Sequence, residues 1–135
     1  LLFAAAFDLL DGTLARMQDR VSRFGAFLDS VSDRLSEASI FLGILIFYSL
    51  EHNVGGSILA SLALIFSFMV SYLRARAEGL QIDSSGGLAT RPERVIILGA
   101  GAIFAIVIPT LALIAVLSLF TSIQRFYHIW KESRT

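Results

Sequence analysis

Asp8, Asp11, Asp29 and Asp33 stand inside the stretch DLLDGTLARMQDRVSRFGAFLDSVSD, in a chain that is otherwise largely apolar. Asp8 and Asp11 are three residues apart, on one face of one helix. Asp29 and Asp33 are four apart, on one face of the next. A hairpin turning near residue 20 puts Asp11 and Asp29 nine residues from the turn on either side, with Asp8 and Asp33 twelve and thirteen away. All four carboxylates then reach a similar depth, about 14 Å or more below the turn at ~1.5 Å rise per residue. Four anions at one depth repel one another and are costly to desolvate, and charged side chains inside membranes are rare and usually functional. Two divalent cations would neutralise them. Oxygen-only ligands, with no Cys in the chain and no His nearby, suit Mg²⁺ or Mn²⁺. Two such ions close together can stabilise an in-line displacement at phosphorus. The plain alternative is a solvated helical hairpin with cap-like acids.

Small residues accompany the acids: Gly12, Ala15 and Gly25. A Gly inside a helix costs ~1 kcal/mol relative to Ala. Small residues let a flat group or another backbone approach closely, and helix–helix packing uses them in the same way.

The elements that must carry these residues are membrane helices. The chain has 135 residues, 56% of them hydrophobic and 16% charged, with a mean hydropathy of +0.74. Net charge is zero, so nothing draws the chain to nucleic acid, and the absence of Cys excludes disulfides and thiolate metal sites. Five apolar segments follow one another: Leu1 to about Ala15, about Phe24 to Leu50, about Ser57 to Ala77, about Arg94 to Ile108 near Pro109, and about Thr110 to Trp130. Their length and apolarity read as helices. Only seven residues precede Asp8, against the ~20 of a full span. We therefore expect the chain to start inside a helix, as one transmembrane domain over residues 1–135 truncated at its N-terminus.

All eleven Lys and Arg fall on one side when the helices are threaded alternately through a bilayer. The opposite connections, EHNVGG and the Pro109 turn, carry none. Positive residues mark the cytoplasmic side. The turn around Arg16–Arg23, the Gly79–Glu93 loop and the C-terminus are therefore expected in the cytoplasm, with the carboxylates in the cytoplasmic leaflet of the cell membrane. Several arginines border apolar segments there: Arg74, Arg94 and Arg125. A lone Arg within an apolar stretch is costly, and guanidiniums converging on one cavity would hold phosphate. Snorkelling under the positive-inside rule accounts for Arg76, Arg91, Lys131 and Arg134. His52 and His128 read as interface anchors.

The spacing Asp8, Asp11-Gly12, Ala15-Arg16, Gly25, Asp29, Asp33 resembles the signature D-x2-D-G-x2-A-R-x8-G-x3-D-x3-D of the CDP-alcohol phosphotransferases, also called CDP-alcohol phosphatidyltransferases. The resemblance implies an all-α integral membrane bundle of about six transmembrane helices, of which this chain holds the last four and part of the second. It implies an enzyme that displaces CMP from a CDP-linked lipid by attack of an acceptor hydroxyl. Asp8, Asp11, Asp29 and Asp33 would hold two metal ions, Mg²⁺ or Mn²⁺, with Asp33 as general base. Gly12, Arg16 and Ser22 would contact the CDP group, with Ala15 and Gly25 beside them, and the enzyme would be a homodimer. YLRARAEG, RPER and the Gln124-Arg125 pair resemble the branch of that family acting on phosphorylated inositol. Arg74, Arg94 and Arg125 would then hold the acceptor phosphate, Arg74 replacing a lysine. The resemblance covers both phosphatidyl and archaetidyl groups, and leaves other acceptors, glycerophosphate among them, open. A divalent-cation transporter is the competing non-enzyme reading. Its pathway would need polar residues at several depths, whereas SIFLGILIFYSL and the other far halves are apolar.

Overall fold

The computed structural model describes residues 22–83, 86–87 and 89–134, whose regular structure is helical throughout. Four helices follow in chain order: α1 Arg23–Leu50, α2 Val54–Gly79, α3 Arg91–Ile103 and α4 Val107–Glu132. They are the four expected for the last part of the bundle. α2 and α4 have 26 residues each and are apolar enough to cross a bilayer. At ~1.5 Å per residue they run about 39 Å, beyond the ~30 Å hydrocarbon core. α1 is longer, at 28 residues, but Arg23, Asp29, Asp33, Arg34 and Glu37 all lie before Ile40.

Two compact units meet in sequence between Ile40 and Phe41, inside α1. The described part of the first is Ser22 and α1 as far as Ile40. The second is built on a seam between α2 and α4. On α2 the buried residues Gly56, Ala60, Ala63, Ser67 and Val70 recur every three or four positions, the stripe that a helix presents to one neighbour. On α4, Leu111, Ile114, Ala115, Ser118 and Thr121 do the same. Small side chains in both stripes let the two backbones come close, the usual basis of helix association in lipid. Phe41 joins this core, with Ile44, Leu45 and Tyr48 packed against it. The Tyr48 ring lies so near Gly56 that a Cβ there would stand 2.6 Å from its Cγ. The outer faces of α2 and α4 expose Ile58, Ile65, Val116 and Phe120, as expected of surfaces that meet lipid tails.

The ends of α1, α2 and α3 share one device. His52, Gln81 and Ala105 have φ of 53°, 60° and 55°. In each case the next residue's N–H reaches back to a carbonyl five residues earlier: Asn53 to Tyr48, Ile82 to Ala77, and Ile106 to Gly101, all at 2.9 Å. This left-handed stop satisfies carbonyls that a helix end leaves bare.

The fourth and fifth segments divide earlier than the sequence reading places them. The chain turns at Phe104–Ile106, and Pro109 sits in the first turn of α4 rather than ending the preceding element. Pro lacks an N–H, but the first turn's N–H groups have no helical acceptor to lose, so Pro is at home there. α2 begins at Val54 rather than Ser57, because the Asn53 Oδ1 accepts from the Gly56 N–H at 2.9 Å and caps it.

Candidate functional site

The carboxylate side begins with a cap. Ser22 Oγ accepts from the Gly25 N–H at 2.9 Å, and the Ser22 carbonyl accepts from Ala26 at 3.1 Å. Ser22 thus starts α1 and fixes its phase. A Cβ on Gly25 would stand 3.1 Å from that Oγ, so the small residue suits the cap. One turn further the exposed Asp29 appears, and a turn beyond it Asp33, whose side chain is 16% exposed with the Arg34 guanidinium 3.9 Å away. Glu37, another turn on, is buried. Carboxylates on successive turns have Cβ atoms ~5–6 Å apart, close enough to share a hard divalent cation or to bind two adjacent ones. The donor set of Asp29 and Asp33 therefore fits the expected metal. Among the described residues no third His, Cys, Asp or Glu completes a metal-sized group. The other two expected ligands, Asp8 and Asp11, lie outside the described residues, as do Gly12, Ala15 and Arg16.

The arginine side lies in the second unit, and the three expected residues come together there. Arg125 is 4% exposed. Its Nη1 donates to the Val70 carbonyl at 2.6 Å and its Nε to the Gly86 carbonyl at 3.1 Å. Arg94 is 2% exposed, and its Nη1 donates to the Ala89 carbonyl at 2.6 Å. α3 opens on Thr90, whose hydroxyl donates to the Glu93 carboxylate, and Pro92 lies in the first turn. This start sets Arg94 on the inner face. Arg74, at the end of α2, is half exposed and donates from Nε to Glu78 Oε1 at 2.9 Å. Arg74, Arg94 and Glu78 all stand close enough for their charges to act on Arg125. These guanidiniums share one neighbourhood, and their planar forks match a phosphate.

Snorkelling cannot account for Arg94 and Arg125: both heads are buried, and backbone carbonyls satisfy them. The sequence reading missed those partners, Val70, Gly86 and Ala89, which carry no side-chain signal. It also treated His128 as an interface anchor only. Here His128 Nε2 pairs with the Asp83 carbonyl at 2.9 Å, on the wall of a cleft of about 450 Å³ that Gly86, Gln124, Arg125 and Lys131 also line. The recurrence of Gln124, Arg125, His128 and Lys131 along one side of the last helix was the available clue. A second cleft, of about 430 Å³, lies beside the α1–α2 turn at Tyr48, His52 and Ser61, without an arginine.

Comparison with known proteins gives the chain its class. The chain belongs to the CDP-alcohol phosphatidyltransferase family, whose pattern matches residues 1–131. It is a membrane protein and an enzyme, which decides against the cation-transporter reading. It is 41% identical over 139 residues to the archaetidylinositol phosphate synthase of Methanothermobacter thermautotrophicus, across 98% of this chain and 69% of that one. The crystal structure of Mycobacterium tuberculosis phosphatidylinositol phosphate synthase with CDP-DAG bound is 34% identical. It superposes with a TM-score of 0.86, over 96% of this chain and 70% of that one. The same enzyme in complex with manganese and citrate gives a TM-score of 0.85 at 33% identity, over 96% of this chain and 66% of that one. The chain thus spans about two thirds of the length of these relatives.

Proposed function

We propose that this protein transfers a phosphatidyl or archaetidyl group from a CDP-linked lipid to a phosphorylated polyol, inositol 1-phosphate in the first place, with release of CMP. The observation that carries the acceptor half is the buried pair Arg94 and Arg125, held by backbone carbonyls, with Arg74 beside them. A phosphate on the acceptor would give these guanidinium forks an oxyanion of matching geometry. The family membership and the named activities of the relatives support the donor half.

In this reading Asp33 takes the proton from the acceptor hydroxyl. The freed oxygen attacks the lipid-bearing phosphorus, the bond to CMP breaks, and the electron pair leaves on CMP. Asp8, Asp11, Asp29 and Asp33 would hold two Mg²⁺ or Mn²⁺ ions, which when bound neutralise the diphosphate and stabilise the leaving group. A manganese complex of a relative supports the use of a divalent ion. Ser22, Gly12, Arg16, Ala15 and Gly25 would form the nucleotide side, with Arg16 forking onto phosphate. Arg74, Arg94 and Arg125 fix the acceptor by its phosphate and so orient the hydroxyl. The protein would work as a homodimer, in a single transmembrane domain that crosses the cell membrane several times. Its active site would face the cytoplasm, because the α1–α2 and α3–α4 turns carry no Lys or Arg while the other helix ends do.

The test is CMP release in liposomes holding CDP-diacylglycerol or its ether-lipid counterpart, with Mg²⁺ and one acceptor at a time. Release with inositol 1-phosphate and not with free inositol supports the reading. Release with glycerol 3-phosphate alone would move the acceptor assignment within the family.

A further inference from the structure

Gly87 touches the arginine site without contributing a side chain to it. Its φ is +145°, a conformation that L residues rarely adopt. A Cβ there would stand 2.6 Å from Thr121 Cγ2, and Thr121 is fully buried on the α2–α4 seam. The same Cβ would stand 3.4 Å from Arg125 Nη2 and 3.5 Å from Arg125 Nε. Those two nitrogens form the side-on edge of the guanidinium. Nε is engaged by the Gly86 carbonyl, while Nη2 makes no hydrogen bond among the described residues. Arg125 and Gly86 both line the 450 Å³ cleft.

We infer that Gly87 is a positioning residue for the acceptor site. It lets its own backbone lie against Thr121, which brings the neighbouring Gly86 carbonyl onto Arg125 Nε. It also leaves the Nη2 side of the fork clear for an oxyanion. Any side chain at 87 acts twice on Arg125. It lifts the Gly86 carbonyl away, and it stands over the edge that the ligand must reach. The inference rests on the proposed role of Arg125 in holding the acceptor phosphate.

The intact protein in proteoliposomes, with a CDP-linked lipid and inositol 1-phosphate, provides the test. Gly87→Ala is expected to raise the acceptor KM about tenfold or more, the scale of one lost hydrogen bond to a charged group. The KM for the CDP-linked lipid should stay as it was. In an Arg125→Ala background, Gly87→Ala should add nothing, because both changes act through one guanidinium. Thr121→Ile presses on the same contact from α4 and should raise the acceptor KM too, so the inference can be tested even where Gly87→Ala does not fold. In Gly87→Ala, the further change Thr121→Ser removes the opposing methyl and should recover part of the loss. An unchanged acceptor KM in both Gly87→Ala and Thr121→Ile overturns the inference. So does a Gly87→Ala effect that multiplies in full with Arg125→Ala. If Arg125→Ala alone leaves the acceptor KM unchanged, the phosphate role of Arg125 falls, and the inference falls with it.

Discussion

Arg125 and Val70 are joined across the α2–α4 seam, 55 residues apart in sequence, by a hydrogen bond of 2.6 Å from Nη1 to the backbone carbonyl. A buried guanidinium is thereby fixed to the backbone of one helix, and to the Gly86 carbonyl at 3.1 Å by another of its nitrogens. Arg125→Lys tests what the fork contributes. An ammonium is a point charge and cannot hold both carbonyls in the same plane. The acceptor KM should rise about 10- to 100-fold, as expected for loss of charge-assisted hydrogen bonds. Arg74→Ala should cost less, because Arg74 is half exposed and paired with Glu78. Steady-state kinetics with the acceptor varied reads both.

Asp33→Asn keeps the side chain's shape and removes its basicity. Turnover should fall by about 10²- to 10⁴-fold if Asp33 is the general base, with thermal unfolding in detergent close to that of the parent. A variant that turns over at near-parental rate would remove Asp33 from that role. Asp29→Asn, at the exposed carboxylate proposed as a ligand, should instead raise the Mg²⁺ or Mn²⁺ concentration required, and chelation by EDTA should stop the parent enzyme altogether.

Two glycines of α3 should respond in opposite ways. A Cβ on Gly101 would stand 2.7 Å from Thr110 Cβ, whereas one on Gly99 meets nothing within 4 Å. Gly101→Val should therefore lower stability by ~1–3 kcal/mol through overpacking. Gly99→Ala should be neutral or stabilising by up to ~1 kcal/mol, since Ala favours the helix. Thermal unfolding in one detergent compares them directly.

Ala105 ends α3 at φ 55°. The left-handed conformation costs an L residue ~1–2 kcal/mol, and Gly avoids that cost. Ala105→Gly should raise the unfolding midpoint by a few degrees and leave kinetics alone, because the turn lies at the end away from the arginines.

The sequence made the helix order and the arginine set readable for a physical reason: both depend on local spacing and on charge, which survive in one dimension. The α1 register is local too, and Asp29 and Asp33 share a helix as their spacing requires. Pro109 misled, because a residue that breaks a helix interior fits its first turn equally well. The contacts that fix Arg125 were hidden, since they pair α4 with carbonyls 39 and 55 residues away. The backbone carries no residue-specific sign of them. Gly87 reads in the sequence as one more residue of a polar loop rich in Gly, Ser and Asp, and only its approach to Thr121 gives it a role.

The most direct measurement follows CMP release from CDP-linked lipid by the intact protein in liposomes, comparing inositol 1-phosphate with free inositol, for the parent and for Arg94→Ala. The expected result is release with inositol 1-phosphate only, and a raised acceptor KM in Arg94→Ala with the CDP-linked lipid bound as before. Equal use of free inositol, or a loss in Arg94→Ala confined to the CDP-linked lipid, would contradict the assignment of the arginines to the acceptor phosphate.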